Sequence, residues 1–430
     1  MLALSGAALY YESRDRMPWY FGIAPNHLSY FIAAALAQGI IYLAAVLLIL
    51  RRDGGRPALV VILGVAALMR LPVMFSTPSL SNDAYRYIWD GRVQAHGINP
   101  YRFAPSDPHL ERLRDAGVYH NINRREYAHT IYPPIAEMLF LAITRVSESI
   151  VWMKAAMVAF EALAVWLLIR LLIGLGLPAE HVIVYVWNPL ALWELAGSGH
   201  VDAAAVAFIA LALLARNRER PFLTGFSLAC ASMVKLYPAL LFPALYRRWD
   251  WKMPAAFVAT VIISYAPYLG AGTGVIGFLP VFLKEEGVTD GTRFYLANLL
   301  RVGLKFQWLS PLCCSVAVLL LLAAAAAFAF ARSADGPRGW LVGTVIMAAT
   351  FSILFSPHNP WYFVWVLPIL CAFPYGPMLY LVTASPLLYV TLVDGSMRML
   401  LRIDTLLYLS FAVFVIFDLL ARRRAASISA

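Results

Sequence analysis

Apolar residues in this chain come in runs long enough to cross a bilayer, separated by short polar breaks. A spanning helix needs about 20 such residues, fewer where it is short or broken. Full-length runs occupy His27–Leu50, Pro57–Phe75, Ser149–Ile173, Met253–Leu269, Pro311–Ala331, Trp340–Phe355 and Asp404–Leu420. Shorter runs occupy His181–Leu195, Val201–Ala215, Phe222–Val234, Tyr237–Leu245, Trp361–Pro374 and Met378–Val393. The pattern predicts an all-α polytopic membrane protein, 1–430 forming one membrane domain with about 13 transmembrane segments, some short or broken. Met1–Tyr11 reads as the stub of a further helix, too short to span and without the basic region of a signal peptide. It implies either a start further upstream or an end lying along the membrane surface.

Two long segments interrupt the apolar pattern, 76–148 and 270–310. Basic clusters sit in other, short loops: Arg51, Arg52 and Arg56; Arg216 to Arg220; Arg247, Arg248 and Lys252; Arg332 to Arg338; and Arg422 to Arg424. Alternating the segments from the C-terminus places all five clusters on one side. By the preference of short Lys/Arg-rich loops for the cytoplasm, that side and the C-terminus are cytoplasmic, and 76–148 and 270–310 face outward across the cell (inner) membrane.

Composition agrees with this picture. Hydrophobic residues make up 61% of the 430 and charged residues 13%, with a mean hydropathy of +0.71. Soluble domains carry about 25% charged residues, so this chain cannot coat a globule of its size with ionic surface. The net charge of +10 is a topology signal and not a sign of nucleic-acid binding. Cys230, Cys313, Cys314 and Cys371 lie in apolar runs without metal-ligand spacing and read as packing residues.

Candidate chemistry concentrates after Phe75. Between Ser81 and Tyr101 stand two acids, two arginines, a histidine and four aromatics. Ser81 is a good N-cap, Gly97 a good terminator, and Ala84, Ile88 and Ala95 form an apolar stripe, which predicts an amphipathic helix in the membrane interface. On it Asp83, Arg86 and Asp90 share a face, which by itself would suit a solvated ion-pair ladder. Pro133-Pro134 opens a second interfacial helix. Polar groups also interrupt later apolar runs: Asn188-Pro189 and Glu194 leading into Gly199-His200-Val201-Asp202, Lys235-Leu236-Tyr237-Pro238, and Ser356-Pro357-His358-Asn359-Pro360-Trp361-Tyr362. Lys235 lies midway between two basic clusters only about 26 residues apart, so it belongs near the apex of a hairpin of half-length helices. Lys284, Glu285, Glu286 and Arg293 mark the second outer segment, while Lys154 and Glu161 could pair across helices as structural groups.

These motifs resemble, in the same order, those of polytopic glycosyltransferases of the GT-C superfamily. They are most similar to bacterial polyprenyl-phosphate-mannose-dependent mannosyltransferases and related family 87 proteins. The matching stretches are Ser81–Tyr101, Tyr132-Pro133-Pro134, Gly199–Asp202, Lys235–Pro238 and Ser356–Tyr362. The chain departs from the family in that its signature loop follows the second recognisable span instead of the first. The resemblance implies a GT-C-like fold and an inverting transferase. It would move mannose or a related sugar from a polyprenyl-phosphate donor to a hydroxyl of a lipid or glycan acceptor, at the outer face, among membrane lipids. It also implies Asp83 as general base, a role that asks for a carboxylate within hydrogen-bond reach of the acceptor, with Asp90 as its alternate. Donor phosphate and sugar would fall to Arg86, Arg92, Tyr132, His200, Asp202, Lys235, Tyr237, His358 and Tyr362. No cofactor is required, and Asp83, Asp90 and Asp202 would be the ligands if a divalent ion took part. The competing class is a transporter or flippase of a lipid-linked sugar, disfavoured by the lack of an internal repeat and by charge gathered in one outer loop.

Overall fold

Short and long apolar helices alternate through the computed structural model, which describes residues 1–5, 25–52, 54–289, 291–306, 310–336 and 338–428. Most of the expected Met1–Tyr11 stub, and the side chains of Arg422–Arg424, lie outside the described residues. The principal helices are α1 (Pro25–Arg51), α2 (Gly55–Phe75), α3 (Asp83–Ala95), α4 (Pro134–Thr144), α5 (Ile150–Gly174), α6 (Asp202–Asn217), α7 (Pro221–Ser232), α8 (Lys252–Tyr265), α9 (Pro311–Arg332), α10 (Gly339–Phe355), α11 (Gly376–Ala384) and α12 (Ser410–Ile428). No strand occurs among the described residues. Six helical stretches there are long and apolar enough to cross a membrane: Leu28–Arg51, Gly55–Phe75, Ile150–Gly174, Lys252–Glu285, Pro311–Arg332 and Met397–Ala421. Shorter apolar helices include Pro221–Ser232, Gly339–Phe355, Pro360–Ala372 and Gly376–Leu392.

The expected run His181–Leu195 is a relay of short turns. A 3-10 turn over Ala179–Val182 leads to a single α-turn at Ile183–Val186. Pro189 then interrupts the ladder, with Asn188 Oδ1 accepting from the Leu190 N–H at 2.9 Å, and a π-turn follows over Leu192–Gly197. Proline removes an N–H and clashes with the preceding turn, so each break leaves backbone polar groups for side chains to satisfy. The Lys235 region behaves as its spacing predicts: α7 ends at Ser232, and a 3-10 turn over Tyr237–Leu241 returns the chain through Phe242–Leu245.

Helix α3 is packed on nearly every side: Ala84 and every residue from Arg86 to Val93 are buried. Its neighbours explain this. Tyr87 stacks on Phe140 of α4 with ring centroids 4.4 Å apart and meets Tyr132 edge-on at 5.0 Å. A Cβ on Gly91 would lie 2.5 Å from the Phe140 carbonyl oxygen, so the crossing requires glycine there. The second outer segment closes over the first. Phe278 N–H donates to Thr130 O at 3.0 Å, Asn99 Nδ2 to Tyr268 O at 2.9 Å, and Arg124 pairs with Glu285 at 2.8 Å.

Lys154 and Glu161, expected to pair across helices, each reach from α5 to α2 or the residue that follows it. Lys154 on α5 donates to the carbonyls of Val73 at 2.8 Å and Ser76 at 2.6 Å, where α2 ends. Glu161 receives a bidentate contact from Arg70 of α2, closest at 2.7 Å, and Arg70 also donates to Val186 O at 2.9 Å. Both residues of that pair are buried, so losing one partner strands the other in an apolar bundle. Glu161→Gln keeps one acceptor but discards the charge. It is expected to lower unfolding stability in detergent by about 3–5 kcal/mol, with Arg70→Met/Glu161→Met recovering most of that loss; equal losses in single and double variants would contradict the pairing.

Candidate active site

Three helix breaks and the start of α3 converge on one polar cluster. Asp202 opens α6, where the positive end of the helix dipole favours a carboxylate. It is fully buried, accepts a hydrogen bond from the Tyr237 hydroxyl and forms an ion pair with Lys235 Nζ at 3.1 Å. The Lys235 ammonium stands 5.7 Å from the Tyr132 ring centre and 5.9 Å from that of Tyr362, within cation–π range of both. Tyr237 packs in turn against Tyr362 and Trp365, with centroids 6.1 and 5.4 Å away. An ammonium at a helix break in a membrane bundle is tolerated because these partners replace its lost water.

Asp83, the first residue of α3, is only partly buried. Its N–H donates to Ser81 Oγ at 3.2 Å, and among the described residues no side chain donates to its carboxylate. Its charge acts on Tyr87, Tyr132, His200 and Tyr362, which places it on the rim of the same cluster. The two acids therefore differ in kind: Asp202 is held by Tyr237 and Lys235, and Asp83 is open. His200 follows Gly199, whose φ of +73° turns the chain from the π-turn into α6 and whose Cβ would come 3.0 Å from Lys154 Cγ. The imidazole is buried, edge-on to Trp361 at 4.7 Å and 3.8 Å from Glu194. Burial pushes it below the usual histidine range, against the pull of Asp83 and Asp202, and so favours the neutral ring.

A second group adjoins the first through Tyr362. Arg293 is buried, pairs with Glu286, donates to Phe355 O at 3.2 Å and lies 5.7 Å from the Tyr362 ring. His358 stands 4.0 Å from Asp404, and burial together with the Arg293 charge pushes it down to about 3. These surroundings favour the neutral His358 ring. Arg293, Glu286, Asp404 and Tyr87 were absent from the residues singled out for the site. Arg293 carries a sequence signal, a lone arginine directly before Phe294-Tyr295 in an outer segment; Asp404 and Tyr87 look like ordinary helix positions.

The remaining candidates are engaged by partners within the outer segment. Arg86 binds Asp90 through Nε at 2.8 and 2.9 Å and donates from Nη1 to Ala128 O at 3.0 Å. Arg92 reaches Asp115 at 2.7 Å and Glu148 at 2.8 Å. These residues brace the outer segment; the Arg86–Asp90 pair is the ion-pair ladder that their spacing allows, buried instead of solvated. Glu137, buried beside them, accepts from Thr130 Oγ1 at 2.6 Å and Gln94 Nε2 at 2.8 Å. Burial first, then the Asp90 charge, push the Glu137 carboxyl well above the usual carboxylate range.

The fold and the cluster together define a multi-pass, all-helical membrane protein with an aspartate–lysine–tyrosine site at helix breaks. The chain belongs to the alpha-(1->6)-mannopyranosyltransferase family, whose model, described as "Alpha-(1->6)-mannopyranosyltransferase, N-terminal domain", matches residues 3–250. That stretch includes Asp83, Tyr132, His200, Asp202, Lys235 and Tyr237; Arg293, His358 and Tyr362 lie beyond it. Two relatives are both described as alpha-(1->6)-mannopyranosyltransferase A. One, from Mycobacterium tuberculosis, is 24% identical over 261 residues, covering 58% of this chain and 45% of the relative. The other, from Corynebacterium glutamicum, is 26% identical over 183 residues, covering 41% of this chain and 36% of the relative. The chain thus spans less than half the length of the curated relatives it matches. No solved structure matches it.

The Glu137 environment has a pH consequence. A carboxyl raised in the folded state contributes stability that is complete below its unfolded value, about 4.3, and is lost as pH climbs through the raised folded value. Wild type is therefore expected to lose stability with rising pH across that window, while Glu137→Gln, a mimic of the protonated acid, removes that component. Asp90→Asn strands Arg86 and is expected to cost about 3–5 kcal/mol at any pH in the window, read by unfolding in detergent. Identical pH profiles for wild type and Glu137→Gln would refute the assignment.

Proposed function

We propose that the protein transfers a mannosyl or related sugar from a polyprenyl-phosphate donor to a hydroxyl of a lipid or glycan acceptor. In this reading the polar cluster faces the extracytoplasmic side of the inner membrane and the C-terminus is cytoplasmic. The observation that carries it is the pairing of one open carboxylate, Asp83, with a lysine held in place by a second, buried carboxylate.

The acceptor oxygen attacks C1 of the sugar as the C1–phosphate oxygen bond breaks, so configuration at C1 inverts without a covalent enzyme intermediate. Asp83 takes the acceptor proton as the new bond forms, a task that needs a carboxylate with no competing donor. The departing phosphate leaves with both electrons of the broken bond, and Lys235 stabilises the charge that develops. Asp202 and Tyr237 aim that ammonium, while Tyr132 and Tyr362 exclude water from it and strengthen its field. Arg293, across Tyr362, supplies a second cation on the side of the other outer segment. No metal is assigned to the reaction, because the Asp202 carboxylate is already engaged by Tyr237 and Lys235.

Radiolabelled polyprenyl-phosphate sugars incubated with membranes containing the protein test this reading. Asp83→Asn is expected to reduce transfer by about 10²-fold or more, within the range for loss of a general base. Lys235→Ala is expected to insert normally yet lose donor use, and chelation with EDTA to leave transfer unchanged. Wild-type transfer by Asp83→Asn would remove Asp83 from the base role, and lipid translocation without transfer would favour a flippase.

A further inference from the structure

The end of α6 remote from Asp202 holds a second polar feature that sugar transfer does not use. Asp202 and Arg216 lie on the same helix 14 residues apart, roughly 21 Å at 1.5 Å per residue. At the Arg216 end, three loops that are far apart in sequence close around a cavity of about 710 Å³. Arg216 comes from the end of α6, Arg247 and Arg248 from the loop before α8, Ser333 from the turn after α9, and Trp340 from the start of α10. One carboxylate, Glu219, lines it too, 3.2 Å from Arg247.

Loop arginines that serve only to orient a membrane protein need no cavity and remain hydrated. Arg216 departs from that pattern. Its guanidinium lies 5.6 Å from the Trp340 ring, and its Nε is shut off from solvent with no hydrogen-bond partner among the described residues. A buried guanidinium N–H without an acceptor is costly, and an anion entering the cavity would supply one. The two arginines of the α9–α10 turn are already occupied: Arg332 by Asp335 at 3.1 Å and Arg338 by the Leu175 carbonyl at 2.6 Å. The lining therefore keeps a cationic excess, three arginines against one glutamate. Trp249 and Trp251, beside Arg248, are 82% and 71% exposed, as aromatic residues at a lipid–water boundary are.

We infer that the Arg216–Arg247–Arg248 cavity is a binding site for a phosphate-bearing ligand, separate from the sugar-transfer cluster. The cavity is within the range of pockets that hold whole small molecules, so it has room for a phosphate with its attached group. Two sources share this chemistry: the headgroup of an anionic lipid, favoured by the flanking tryptophans, and a soluble phosphate compound.

Native mass spectrometry of the purified full-length protein in neutral detergent distinguishes them. The probes are dioleoylphosphatidylglycerol, dioleoylphosphatidylcholine and inorganic phosphate. Wild type is expected to retain one phosphatidylglycerol and no phosphatidylcholine. Arg216→Gln, and separately Arg247→Gln/Arg248→Gln, should each weaken retention about tenfold or more, as loss of a charge-assisted contact implies. Displacement of the lipid by inorganic phosphate at equal concentration would assign the site to a soluble phosphate compound, and its failure to displace would assign it to a headgroup. Arg247 and Arg248 are exposed, so their double variant decides the matter if Arg216→Gln fails to fold. Equal retention by wild type and that folded double variant, or equal retention of both lipids, would overturn the site.

Discussion

The Lys235–Asp202 ion pair is the constraint around which the rest of the polar architecture is arranged. Two opposite charges in an apolar bundle persist only at close range, with their remaining hydrogen-bonding capacity met. Meeting that condition takes residues from four distant stretches. The first residue of α6 brings the carboxylate, the break after α7 brings Lys235 and Tyr237, the segment before α4 brings Tyr132, and the 3-10 turn at Pro360–Val366 brings Tyr362. Each of those stretches is a point where a proline or a turn interrupts a helix. The short helices are thus the geometric means of placing polar side chains where continuous helices would present only apolar ones.

Around that pair, charge is divided between structure and chemistry. Arg70–Glu161 and Lys154 tie α2 to α5, and Lys154 in particular holds the carbonyls from which the outer segment departs. Arg86–Asp90 and Arg92 with Asp115 and Glu148 then stiffen that segment from within. Asp83, at the first turn of the braced helix, inherits its position from them without sharing its carboxylate. An open acid on a rigid support suits proton transfer, whereas an acid already engaged by a lysine suits orientation.

Much of this was legible in the chain. Runs of about 20 apolar residues must lie in lipid, and the boundaries of α2, α5 and α9 fall within a few residues of the runs that predict them. Pro134 opens α4 at its first position, and Lys235 falls in the turn of a half-length hairpin, because proline placement and loop length are local properties. The partners were not legible. Asp83, Arg86 and Asp90 carry the same spacing signal, yet Arg86 and Asp90 bind each other while Asp83 stays open. His200 and His358 stand among the donor-binding candidates in the sequence, and only their burial shows that the neutral ring is favoured.

The sequence by itself determined the all-helical membrane class, the places where helices break, and the short list of polar residues that a bilayer would not tolerate unpaired, since these follow from local hydropathy and backbone chemistry. Only the tertiary structure decided which acid is held and which is open, that other elements bury α3 on nearly every side, and that Arg293 and Asp404 stand beside the motif residues. It also decided that three basic loops meet around Arg216. Burial and pairing depend on what the rest of the chain places within a few ångströms, and no spacing along a helix encodes that.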